Sequence, residues 1–247
     1  MQTQSTPLVS TSIGTRREFV SFHFGTPGAG EKIYVQASLH ADEIPAMLTA
    51  WRLKQRLIEL ENAGRIRGEV ILVPVANPIG LSQHVLGQFL GRFELNSGHN
   101  FNRSFSLPAA AALIERIGGQ WTQDADSNTR LLRRAVCEML AEVKPKNEFE
   151  SLRREMLIMA ADADVILDLH CSLEATMHLY TSPASWPAVE PTRPPTAPAM
   201  PRAVPATPPV ICPRSEMPAW MIVSRRPPPP APAVDCSIPC ASCSKSP

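Results

Sequence analysis

Three residues carry metal-ligand chemistry at a spacing that a fold can gather: His40, Glu43 and His170. A histidine and an acid three positions apart, where a strand end turns into a helix, can swing their side chains toward one point. A second histidine arriving from another strand completes two imidazoles and one carboxylate. That set leaves a fourth position open for water, which is the composition of a catalytic zinc site. Taken singly, each residue is ordinary, since H-x-x-E pairs arise by chance and strand-terminal histidines are mostly solvated or hydrogen-bonded. Asp168 shares a strand face with His170 because side chains alternate, so it is placed either to orient that histidine or to meet a backbone donor or water.

A second group of candidates lies in one loop. Arg92 and the run Asn100-Phe-Asn-Arg103 suit the capture of a substrate carboxylate, because a guanidinium offers a planar two-pronged donor and a neighbouring amide adds another. Arginine in a loop is more commonly just solvated. His84, His99 and His178 have no comparable constellation and read as surface or core residues.

The elements around these residues can be read from periodicity. Glu31 to Leu39 reads as a strand ending at His40. A helix follows, with Ile44, Met47, Leu48, Trp51, Leu57, Ile58 and Leu60 recurring at three and four. Asp42 is placed to cap it, Pro45 is tolerable in its first turn, and Gly64 is a plausible stop. Glu69 to Asn77 is a near-continuous apolar run of strand length, the mark of a strand covered on both faces. Ile79 to Pro108 has little periodicity and is too long for an idle connection. Residues 126–161 read as helical with an interruption near Lys144-Pro145, and Asp164 to His170 reads as another buried strand. This order predicts an α/β domain with a parallel or mixed central β-sheet flanked by helices. If the strands before His40 and His170 are parallel neighbours, both imidazoles emerge at one sheet edge, where ligands of such sheets collect.

Composition divides the chain in two. Nineteen of the 26 prolines fall in Pro183 to Pro247, a stretch without any Leu, Phe, Tyr, Gly, Asn or Gln. With so little to bury it cannot offset the entropy of ordering its backbone. Residues 1–185 therefore read as the folded domain, long enough for a sizeable core, and 186–247 as a disordered Pro-rich tail. A net charge of +1 gives no electrostatic reason to expect nucleic acid or an anionic membrane, so a small-molecule substrate is the expected partner. The amino terminus is polar and no run approaches the ~18 apolar residues of a bilayer span, so a cytoplasmic protein is expected. Only Cys137 and Cys171 of the six cysteines lie in the folded part, which does not support a disulfide framework. Cys236, Cys240 and Cys243 are loosely spaced for a metal clip but have no fourth ligand. Arg225-Arg-Pro-Pro-Pro-Pro230 has the form of a polyproline ligand for an SH3-type or WW-type partner.

Four motifs in order, Ser38-Leu-His-Ala-Asp-Glu43, Val73-Pro-Val-Ala-Asn-Pro78, Asn100-Phe-Asn-Arg103 and Asp168-Leu-His170, resemble the signature of the succinylglutamate desuccinylase and aspartoacylase family, relatives of the zinc carboxypeptidases. The match runs roughly from Glu31 to Thr181. The resemblance implies a mixed eight-stranded sheet, one Zn2+ per chain held by His40, Glu43 and His170, a substrate carboxylate on Asn102 and Arg103, and Arg92 polarising the scissile carbonyl. It implies hydrolysis of the amide, or an ester, of small N-acyl amino acids.

One part of that pattern is absent. The family supplies a general-base glutamate from a strand well after the third ligand, whereas the acids after His170 are Glu174, Glu190, Glu216 and Asp235, none in such a strand. The resemblance fades after Trp186-Pro-Ala-Val-Glu-Pro191, and the Pro-, Ala-, Arg-, Ser- and Cys-rich remainder is what a GC-rich coding region gives when read out of frame. Two functions are therefore expected to compete: a zinc-dependent deacylase, and a catalytically silent metal- or ligand-binding protein.

Overall fold

The computed structural model describes residues 1–10, 12–103, 105–171, 178–183, 185–189 and 220–225. In chain order the elements are β1 (Gln2–Pro7), β2 (Glu18–Gly25), β3 (Lys32–Ala37), α1 (Ile44–Asn62), β4 (Glu69–Val73), α2 (Pro78–Leu81), β5 (His84–Val85) and β6 (Gln88–Phe89). They continue with α3 (Ala110–Ile117), α4 (Ala125–Glu142), α5 (Glu148–Asp162), β7 (Val165–Leu169), β8 (His178–Tyr180), α6 (Trp186–Val189) and β9 (Trp220–Arg225).

Seven of these strands form one mixed sheet in the order β1-β2-β4-β3-β7-β9-β8, and β5 and β6 make a separate hairpin. The central strand β3 runs parallel to β4 on one side and to β7 on the other, with Ala37 opposite Leu169. The sheet is flanked on both faces, as the apolar runs of β3 and β4 require. On one face Val35, Ala37 and Leu72 pack with Ala46, Ala50 and Leu57 of α1. On the other, Tyr34, Ile71 and Val73 pack with Phe149, Leu152 and Met156 of α5.

Several expectations are corrected in detail. The buried face of α1 is Ala46, Ala50 and Leu57, whereas Ile44, Leu48 and Trp51 are about half exposed; small alanines let the helix axis come close to the sheet, and bulky residues would hold it off. Asp42 does not cap α1. The cap position belongs to Glu43, whose side chain makes no cap hydrogen bond because it is engaged elsewhere. The polar amino terminus forms an edge strand, β1, paired antiparallel with β2. Within the stretch read as tail, Trp220–Arg225 forms β9, antiparallel to β7; the apolar, partly β-branched run Trp-Met-Ile-Val has the strand propensity that the surrounding prolines lack. The stretch also holds the short α6, Trp186–Val189; residues 190–219 and 226–247, with the four cysteines and the Pro-rich run after Arg225, and Glu174 lie outside the described residues. Among the described residues, no helix is long and apolar enough to cross a membrane.

Candidate metal centre

The parallel pairing of β3 with β7 delivers His40 and His170 to the same edge, three residues and one residue beyond their strands. The chain leaves β3 through Ser38, fully buried with φ of +64°, a strained conformation for a residue with a Cβ and of a kind that concentrates at functional sites. Asn77 then locks the turn: its amide nitrogen donates to the Leu39 carbonyl (2.9 Å) and its oxygen accepts from the Gly80 N–H (2.8 Å). The long loop is stitched to the same turn by Ala41 N–H donating to the Gly91 carbonyl (3.0 Å). Gly91 permits that approach, since a Cβ there would sit 2.4 Å from the backbone nitrogen of Asp42. Arg92, the next residue, is thereby placed at the histidines.

The two imidazole rings lie 5.3 Å apart, edge to face, and Glu43 joins them. Its Oε1 is 3.0 Å from His40 Nδ1 and its Oε2 is 2.9 Å from His170 Nδ1. Donor atoms of the three residues lie within 4.8 Å of one another and could hold a metal ion. All three are buried or nearly so.

Hydrogen bonds behind the rings settle which nitrogens face inward. Arg92 Nη1 donates to His40 Nδ1 (2.9 Å), and its Nη2 donates to Glu43 Oε1 (2.8 Å). A guanidinium can only donate, so Nδ1 of His40 is a lone pair and Nε2 carries the proton. That proton goes to Asn100 Oδ1 (2.9 Å), which is held in this orientation by also accepting from the Asn102 N–H (2.8 Å). His170 is held likewise, with Nε2 donating to Asp168 Oδ2 (2.8 Å). Both rings thus turn Nδ1 toward Glu43 and anchor Nε2 on an oxygen, the arrangement that fixes tautomer and aim in metal-ligating histidines. Asp168 takes the orienting role that strand alternation offered it.

The electrostatics of the donor set favour positive charge beside Glu43. Burial alone would raise the Glu43 pKa, but hydrogen bonds from His170 and the Cys171 N–H, together with the charge of His170, hold it well below the usual carboxylate range. Burial alone would lower that of His170, yet hydrogen bonds to Asp168 and Glu43 push it up to about 10. The proton between His170 and Glu43 and the guanidinium beside His40 supply the positive charge that this donor set calls for. Two imidazole nitrogens and a carboxylate fit a borderline divalent cation such as zinc.

The remaining predicted residues are placed unequally. Asn102 reaches the centre, its Nδ2 3.4 Å from His170 Nε2. Arg103 is exposed and donates to the Asn102 carbonyl (2.7 Å), beside the centre rather than in it. Arg92 also lies 3.6 Å from Asp42. Of the histidines set aside, His84 stacks on Phe89 and His99 on Phe149. The anchoring of His40 by Asn100 is the contact that sequence reasoning missed, because Asn100 was read only as part of a carboxylate grip.

The catalytic domain of succinylglutamate desuccinylase/aspartoacylase matches residues 29–193, two thirds of the chain. The chain belongs to the succinylglutamate desuccinylase/aspartoacylase family. A solved structure described as a putative member of this family from Shewanella amazonensis SB2B is 26% identical, superposes with a TM-score of 0.58, and is matched over 73% of this chain and 49% of its own. Another from Shewanella frigidimarina NCIMB 400, 22% identical, has a TM-score of 0.60 over 76% of this chain and 50% of its own, and shares the fold. This family member spans about half the length of those solved relatives. No protein of curated function matches it.

Proposed function

We propose that this chain binds one zinc ion through His40 Nδ1, Glu43 and His170 Nδ1, and hydrolyses the amide or ester bond of a small N-acyl amino acid-like substrate. The observation that carries this reading is the convergence of both Nδ1 atoms on Glu43, with each Nε2 anchored from behind. A divalent cation held there supplies Lewis acidity, polarising a carbonyl and acidifying a water. The protein's own contribution is orientation and charge. Asn100 and Asp168 hold the rings, and Arg92, beside the Glu43 and His40 lone pairs that would hold a cation, would offer its N–H groups to a carbonyl oxygen as negative charge develops. Asn102 and Arg103 lie on the adjoining turn and are suited to a substrate carboxylate, Arg103 by rotating its exposed side chain inward.

A second reading, a silent metal-binding protein, is favoured by one specific observation. Among the described residues, the carboxylates at the centre are already paired: Glu43 with both histidines and Arg92, Asp168 through Oδ2 with His170, and Asp42 with Arg92. Asp168 Oδ1 has no hydrogen-bond partner but is buried, so no exposed, unpaired carboxylate stands ready to carry a proton from water to the leaving amine. Metal analysis and turnover of a panel of N-acyl amino acids separate the readings. Stoichiometric zinc with hydrolysis supports the deacylase, stoichiometric zinc without it supports the silent binder, and zinc content unchanged by His40→Ala and His170→Ala removes the site assignment altogether.

A further inference from the structure

Phe93 and Asn100 form an isolated antiparallel bridge. On either side of the pair the Glu94 N–H donates to the His99 carbonyl (2.8 Å) and the Phe101 N–H to the Arg92 carbonyl (3.1 Å). That pattern makes it a non-hydrogen-bonded pair, in which the side chains stand on the same side and the Cα atoms are only about 4.5 Å apart. Asn100 directs its side chain at His40, with Oδ1 2.9 Å from Nε2. Phe93 therefore flanks the His40 side of the centre. It is 48% exposed, and its backbone is pinned: buried Gln83 donates from Nε2 to the carbonyls of Leu90 (2.6 Å) and Phe93 (2.7 Å). A single exposed aromatic residue is ordinary on a protein surface. Its position beside a candidate ligand is what gives this one meaning.

Positive charge is placed on the other side. Among the described residues, the cations bonded to the centre or to its adjoining turn are Arg92 and Arg103. Arg92 is committed to Glu43 (2.8 Å) and Asp42 (3.6 Å). Arg103 is exposed, donates to the Asn102 carbonyl and has no ion pair among the described residues. It follows Asn102, whose Nδ2 is 3.4 Å from His170 Nε2, so the uncommitted guanidinium belongs to the His170 side. One guanidinium grips one carboxylate. With the substrate carboxylate there and the scissile carbonyl at Arg92, the acyl group extends to the His40 side, toward Phe93. A second carboxylate at that end would lose water against the negative face of an aromatic ring with no free cation to meet it.

Resting on the deacylase reading above, we propose that the substrate's acyl group is an aliphatic chain without a carboxylate of its own, lying on Phe93, while the carboxylate of the amino acid lies on Arg103. Phe93 is then a specificity-determining residue. It adds apolar contact to a long acyl chain and disfavours a dicarboxylic one.

Hydroxamates test this without turnover, because the hydroxamate group takes the zinc and leaves its chain on the acyl side. The probes are acetohydroxamate, hexanohydroxamate and the monohydroxamate of succinate, titrated calorimetrically into the full chain carrying one zinc. Hexanoyl has four more methylenes than acetyl, each worth about fourfold when fully buried, so partial burial should make hexanohydroxamate bind at least tenfold tighter than acetohydroxamate. The succinate probe should bind no tighter than acetohydroxamate. Phe93→Ser, with zinc still at one per chain, should bring the hexanoyl-to-acetyl ratio below tenfold. A ratio below tenfold in the unaltered chain, a succinate probe tighter than acetohydroxamate, no hydroxamate binding, or a ratio untouched by Phe93→Ser each overturns the inference and leaves the zinc assignment standing. A chain that takes up no zinc removes the function proposed above and this inference with it. The three-probe comparison uses the unaltered chain and decides the matter even if Phe93→Ser fails to fold.

Discussion

Changing the pH between 6 and 8 perturbs the metal centre at one identifiable proton. In the metal-free protein His170 donates from both ring nitrogens, to Glu43 and to Asp168, and its pKa is pushed up to about 10. At pH 7 it is therefore protonated, and zinc must displace that proton to reach Nδ1. Three pH units below the pKa, at ~1.4 kcal/mol each, this competition weakens zinc binding at pH 7 by ~4 kcal/mol. Glu43 is already ionised, and His40 Nδ1 accepts from Arg92 and has no proton to lose. One proton should thus be released per zinc, and the apparent affinity should rise tenfold per pH unit, about 100-fold from pH 6 to 8. Titrating zinc in two buffers of different ionisation enthalpy counts the proton, and competition with a chromophoric chelator measures the slope. An affinity flat across this range, or binding without proton release, would refute the assignment of His170 Nδ1 as a ligand.

The same shift sets the sign of a stability change in the metal-free protein. A raised folded-state pKa means that the His170 contribution is complete below its ordinary value of 6.5 and is lost as pH climbs toward about 10, so urea midpoints should fall from pH 6.5 to 10 and zinc should abolish the fall. Glu43, shifted the other way, contributes above its ordinary value of 4.5 and less as acid protonates it, which should appear as a lower midpoint below pH 4.5. Gly91→Ala places a Cβ 2.4 Å from the Asp42 nitrogen, so the loop must move; it should lower the stability by ~1–3 kcal/mol in urea denaturation and weaken any hydrolysis, with Arg92 carried off the centre. Leu152→Ala empties a fully buried position in the α5 core and should cost ~2–5 kcal/mol by the same assay while leaving zinc stoichiometry at one.

Much of this was legible in the linear chain. The apolar run of β4 announced a strand covered on both faces, because such a strand has no solvent side to keep polar, while β3 and β7 showed as strands by composition and length. The H-x-x-E spacing and Asp168-Leu-His170 marked the candidate ligand set and an acid beside it, because local geometry brings i and i+3 together at a strand-to-helix turn and aligns i with i+2 on a strand. The Glu18–Gly25 strand shows only as the alternation of Val20, Phe22 and Phe24, and in α1 the bulky residues recurring at three and four draw attention from the alanines that actually meet the sheet.

Types and spacing of residues alone identified the donor atoms available and the chemistry they favour, since those are properties of side chains and of local backbone geometry. Tertiary structure decided that β3 and β7 are parallel neighbours, that both rings turn Nδ1 inward, and that Arg92 and Asn100, more than 50 residues from His40 in sequence, complete the set. Those facts depend on strand order and on the packing of a loop through Gly91, and no local propensity encodes contacts between segments that distant.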